Sequence, residues 1–161
     1  MLLQQKEFLS ILEQEIDELA MQFEEYEILR SIPGVGCKIA ATLISEIGEI
    51  KQFSHPKKLV AYAGIDPRIY QSGKFTATIN CITKRGSSKL FQALPSSSKL
   101  RQALYTAVQC GLTNSRNTKL REFYDKKRSE GKPHKLAIIA CANKLLHWIY
   151  AILNHKENFI A

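Results

Sequence analysis

Three short stretches of this chain combine the residue types that phosphate chemistry needs. The first is Ile32-Pro33-Gly34-Val35-Gly36, followed by Lys38. Pro33 cannot continue a preceding helix, and Gly34 and Gly36 permit backbone angles that other residues resist. A turn of this kind at a helix N-terminus presents unpaired N–H groups and the positive end of the helix dipole, which attract phosphate whatever the base sequence. Lys38 falls in the first helical turn, where a cation opposes the dipole, so a phosphate partner would account for it. A tight helix–helix corner with Val35 buried accounts for the same residues equally well. The second stretch is Tyr70-Gln71-Ser72-Gly73-Lys74, a hydroxyl at an expected hairpin tip beside a flexible glycine and a cation. A serine in a turn is ordinarily turn chemistry; as a nucleophile it needs a base or metal nearby. The third is Thr83-Lys84-Arg85-Gly86-Ser87, where Lys84 and Arg85 open an expected helix and suit either phosphate or a solvated loop.

Charge points the same way. The chain has 161 residues, 23 Lys+Arg against 15 Asp+Glu and a net charge of +8. Residues 1–30 hold two basic and eight acidic side chains, net −6, leaving 21 basic and seven acidic over the rest, net +14. A body this basic repels itself unless it meets a polyanion, and nucleic acid is the first candidate. At 45% hydrophobic and 24% charged residues, the chain is an ordinary globular one with enough length for a real core. No stretch is expected to approach the roughly 18 or more apolar residues of a membrane span, and the N-terminus lacks the marks of a secretory signal, so no membrane partner is expected. Cys37, Cys81, Cys110 and Cys141 lie far apart with no CxxC pair, which argues against zinc and a disulfide framework and for a reducing cytoplasm.

The elements that must position these residues are mostly helical. Leu9, Leu12, Ile16, Leu19, Phe23 and Tyr26 alternate at spacings of 3 and 4, the a/d rhythm of a coiled coil, and predict one helix over 1–27 that either pairs in a coiled coil or packs on its own domain, Phe23 and Tyr26 suiting packing on the body. A helix follows the Pro33–Gly36 turn, with Ile39, Leu43, Ile44 and Ile47 on one face. Residues 54–64 form a short capped helix closed by Gly64. Arg68–Gln71 and Phe75–Ile79 form a small β-hairpin, and Leu100–Leu112, Thr118–Arg128 and Lys135–Leu153 form helices. A basic loop, Lys126–Lys135, joins the last two. The octet Ser87–Leu94 recurs as Ser97–Leu104 with seven of eight residues matching; Pro95 interrupts it, which marks a local duplication.

The run LRSIPGVG, AATLISEIG, KKLVAYAGIDP, YQSGK, ITKRG, LRQALY and FYDKKRSEGKPHKLAIIACANKLLHWIYAIL resembles, in order and spacing over about residues 28–155, the C-terminal domain of the insertion sequence 110/116/902 family of transposases. The resemblance implies a DNA recombinase whose RuvC-like domain, with acidic metal ligands, is joined through a coiled coil to a helical domain that supplies a serine nucleophile. It assigns the nucleophile position to Ser72, which would attack a DNA phosphodiester to give a phosphoserine link. On general phosphoryl-transfer chemistry, and not from the resemblance, Lys74, Lys84 and Arg85 are expected to stabilise the phosphorane charge. The resemblance also implies a structured guide RNA as partner. The RuvC-like domain has no counterpart in this sequence, so magnesium is expected only with that domain, no cofactor is expected in this chain, and the chain alone is expected not to transpose.

The fold expected is mostly α: a coiled-coil helix over 1–27 that supports a homo-oligomer, then a helix-hairpin-helix-containing DNA-binding domain over 28–161 with one β-hairpin. The site residues expected are Ser72 for catalysis and Gly34, Gly36, Lys38, Gly73, Lys74, Lys84 and Arg85 for DNA, with no metal ligands. A non-catalytic helix-hairpin-helix module that binds DNA or dimerises is the alternative, and a coiled-coil adaptor a third. The expected location is the bacterial or archaeal cytoplasm, on the nucleoid.

Overall fold

The computed structural model describes residues 2–66, 71–72, 75–76 and 97–160, with the backbone alone at 2–3, 71–72 and 75–76. Its helices are α1 (Leu2–Ala20), α2 (Glu24–Arg30), α3 (Cys37–Ile47), α4 (Pro56–Ala63), α5 (Ser98–Leu112), α6 (Thr118–Ser129) and α7 (His134–His155). Two-residue strands β1 (Gln71–Ser72) and β2 (Phe75–Thr76) pair antiparallel, Gln71 opposite Thr76 and Ser72 opposite Phe75.

The core is organised on α7. Its apolar residues recur at helical spacing, and Ile138, Cys141, Leu145, Leu146 and Ile149 are all buried where α2, α4, α5 and α6 pack against it. Each fully buried leucine or isoleucine contributes about 1.5–3 kcal/mol relative to exposure. By length and mean hydropathy (1.7), α7 would also suffice to cross a membrane. A search for uninterrupted apolar runs misses this because Asn143, Lys144 and His147 break the run.

At the N-terminus, the expected single helix over 1–27 is divided. Hydrogen bonding shortens from Met21 N–H to Asp17 O (2.9 Å) to three-residue steps at Gln22 to Leu19 O (3.3 Å) and Phe23 to Ala20 O (3.1 Å). Phe23 is then extended, with φ −96° and ψ 130°. No glycine or proline lies there to break the helix, so the cause is tertiary. Redirecting the chain buries Tyr26, Ile28 and Leu29 in the core, against the preference of a Glu-rich segment to stay helical. Of the heptad positions, Tyr26 is fully buried, whereas Leu9, Ile16, Leu19 and Phe23 are more than half exposed.

On α3 the buried positions are Ala40, Leu43 and Ile47, with Ile39 and Ile44 at the edges. The cap of α4 is His55, whose Nδ1 accepts from the Lys57 N–H at 3.1 Å, and Gly64 closes the helix in the left-handed region at φ 68°.

Candidate nucleic-acid interface

The Pro33–Gly36 corner turns through a Val35 N–H to Ile32 O bond of 3.0 Å, with Ile32 and Val35 both buried. Gly34 has φ +105°, and a Cβ there would lie 2.6 Å from the Gly111 Cα and N and 2.8 Å from the Ala107 carbonyl oxygen. The two glycines let the corner touch α5 backbone to backbone. Asn117 locks the contact: its Nδ2 donates to the Pro33 carbonyl at 3.3 Å while its Oδ1 accepts from Leu120 N–H at 3.0 Å and caps α6. Gly34 therefore serves helix–helix packing. Gly36 differs: it caps α3 in extended conformation (φ −88°, ψ 177°), and nothing lies within 4 Å of where its Cβ would stand.

Lys38 does not await an external anion. Its Nζ pairs with the Glu13 carboxylate of α1, which supplies the negative charge that its place in the first turn of α3 calls for. A second α1 carboxylate, Asp17, lies near the same end. Together with the adjacent Cys37 thiol, which is the largest influence, and burial, its charge pushes the Tyr26 phenol up to about 12.

Ser72 lies on β1, and two residues separate it from its partner Phe75. Gly73, Lys74, Lys84 and Arg85 lie outside the described residues. The ends of the chain that lead to and from this segment are firmly held. Ile65 is buried, Ser97 N–H donates to Tyr62 O at 2.9 Å, and Arg101 donates to the Ala63 carbonyl at 3.2 Å. Ser97 Oγ both donates to Glu46 at 2.7 Å and caps α5 by accepting from Leu100 N–H at 2.9 Å. The second copy of the duplicated octet thus begins α5. Beside these ends is a cleft of about 340 Å³ lined by Ile65, Ser98, Arg101, Gln102, Tyr105, Lys135, Ile139 and Ala142.

The densest positive charge lies elsewhere, at the α6–α7 turn. Residues 116–135 carry eight Lys and Arg against three carboxylates. Asp125 pairs with Arg121 at 3.1 Å, and Glu130 with Lys127 at 2.9 Å and Lys132 at 3.4 Å. Those two cations hold the Glu130 carboxyl below the ordinary range, Lys127 most strongly. Arg116, Lys126, Arg128 and Lys135 have no carboxylate partner among the described residues. The sequence marks Lys126–Lys135 as a basic loop without naming site residues in it; local charge density is the signal that singles these cations out. Among the described residues, no three His, Cys, Asp or Glu converge as metal ligands.

Residues 26–125 match the family described as "Transposase IS116/IS110/IS902 family". The chain is 29% identical over 98% of its length to the transposase for insertion sequence element IS1111A of Coxiella burnetii, covering 41% of that protein. It is 31% identical over 82% of its length to the pilin gene-inverting protein of Moraxella bovis, covering 38% of it. An insertion element IS110 protein of Streptomyces coelicolor is 28% identical over 88% of the chain. The chain spans about two fifths of the length of the first of these curated relatives.

Proposed function

The chain belongs to the IS116/IS110/IS902 family of transposases, and we propose that it acts as a DNA-binding, serine-nucleophile domain of a recombinase of that family. The observation that carries this reading is that the family match spans Ser72 within a body of net charge +14. Relatives named for transposition and for gene inversion support DNA rearrangement as the activity.

In the reaction proposed, Ser72 Oγ attacks a phosphodiester phosphorus. The Oγ–P bond forms as the bond to one deoxyribose oxygen breaks, the serine proton passes to a base, and the leaving oxygen takes up a proton to become a free hydroxyl. That hydroxyl, or one on another strand, reverses the step and releases the serine. Lys74, Lys84 and Arg85 would stabilise the charge on phosphorus, and the backbone around Gly73 would give close approach. At the corner, the open N-cap at Gly36 supports a phosphate contact there, while Lys38 stays with Glu13 and would join only where that carboxylate is removed. The RuvC-like domain, its magnesium and the guide RNA would come from outside this chain, which alone would bind DNA in the cytoplasm without transposing it. The exposed Leu9, Ile16 and Leu19 of α1 support pairing with a second copy, and they favour the dimerising module as the second reading.

A suicide duplex carrying a cleavable phosphodiester tests the proposal, with RuvC-like domain and RNA supplied. A covalent protein–DNA adduct that Ser72→Ala abolishes is expected. Equal adduct from Ser72→Ala, or none from either protein, would overturn the serine assignment in favour of the non-catalytic module.

A further inference from the structure

We propose that Arg101, Arg128 and Lys135 form a second contact for the sugar–phosphate backbone of duplex DNA, separate from the Pro33–Gly36 corner. The site draws on three helices, α5, α6 and α7. Arg101 and Lys135, on α5 and α7, line the same cleft. Arg101 is held by its bond to the Ala63 carbonyl, which occupies one of its N–H donors; among the described residues the rest of the guanidinium fork has no other hydrogen-bond partner. Arg128 donates to the Lys132 carbonyl at 2.8 Å, which fixes it at the α6–α7 turn. The turn itself is braced by the Tyr124 hydroxyl against His134 Nδ1 at 2.7 Å. These cations therefore stand on a held framework.

Their charges are unanswered. None of the three has a carboxylate partner among the described residues, while Asp125 and Glu130 are engaged by Arg121, Lys127 and Lys132. Lys135 sits in the first turn of α7, which has no acidic residue, so it opposes the helix dipole with no carboxylate in that turn to offset it. Cations carried on three successive helices fit an extended polyanion better than a compact one. An Arg fork and Lys point charges are the usual partners of backbone phosphates. DNA as the particular polyanion rests on the function proposed above. The cleft that Arg101 and Lys135 line also takes in Ile65 and Ser98, beside the two chain ends that lead to the segment bearing Ser72. A duplex gripped here would be anchored at the base of that segment.

The test is the salt dependence of duplex binding by the intact chain, read by fluorescence anisotropy between about 50 and 200 mM salt. Each lost phosphate contact lowers the slope of log K against log salt by about 0.9. The double variant Arg128→Gln/Lys135→Gln is expected to flatten the slope by about 2 and to weaken binding about tenfold near 100 mM. Both side chains are exposed, so circular dichroism should show an unchanged fold. Lys156→Gln, about 30 Å from Lys135 along α7, is expected to leave the slope as it was. A steep wild-type slope that the double variant does not change would overturn this inference and leave the proposed function standing. No salt-sensitive binding by the wild type would overturn both. Loss confined to an RNA duplex would overturn DNA as the occupant of this site.

Discussion

Two helical corners flank α5 and α6, and they are opposites. The Pro33–Gly36 corner carries the recognisable glycine motif, yet Gly34 is consumed by contact with Gly111 and Lys38 by Glu13. The Ser129–His134 corner carries no motif, yet cations around it lack acid partners among the described residues. Glycine spacing reports where backbones must approach closely, and the object approached can be the protein itself. Unanswered charge reports a missing ligand more directly, because an isolated surface cation has little structural use.

The sharpest way to break this contrast is at the two glycines. Gly34→Ala combines a positive φ with a clash against fixed backbone, so urea denaturation is expected to show a loss of about 3 kcal/mol or more. Gly36→Ala, with open space before it, is expected to cost less than about 1 kcal/mol. Equal losses would mean that the corner is not packed as described. Next in size is Asn117→Ala, which removes the α6 cap and leaves the Pro33 carbonyl without its donor; about 2 kcal/mol is expected in the same assay.

Glu13→Gln probes the other half of the corner. The Lys38 pair is solvent-exposed, so stability should change by less than about 1 kcal/mol. Freed from Glu13, Lys38 is expected to bind duplex phosphate, steepening the salt slope by about 0.9. An unchanged slope would confine this corner to packing. The smallest effect expected is on pH. Burial, with lesser contributions from His55, Lys144 and Lys57, lowers the His147 pKa from 6.5. Between that lowered value and 6.5 the unfolded chain holds more protons than the folded one, so stability falls as pH drops through this window. The thermal midpoint should decline slightly on acidification below neutrality, and His147→Gln should reduce that decline.

Much of the helical architecture was legible. The last three helices follow directly from apolar spacing, within a few residues at their ends, because their period and their burial agree. The heptad run is where reading failed. Its rhythm continues through Phe23 and Tyr26, but spacing cannot say which partner buries each residue, and the core's claim on Tyr26 redirects the chain. The same limit applies at the corner: Gly34 and Lys38 were visible as special residues, whereas Gly111 and Glu13, which explain them, lie far away in sequence. Arg101 was invisible as a site residue, since only the fold brings it beside Lys135. Ser72 is proposed through resemblance and not through its own surroundings.

The comparison of the two corners is tested most directly by lysine footprinting. The wild-type chain would be acetylated with and without a DNA duplex, and each lysine's rate followed by mass spectrometry. DNA is expected to slow acetylation of Lys135 strongly while changing Lys38 little. A duplex that shields Lys38 and leaves Lys135 reacting at its free rate would contradict the account.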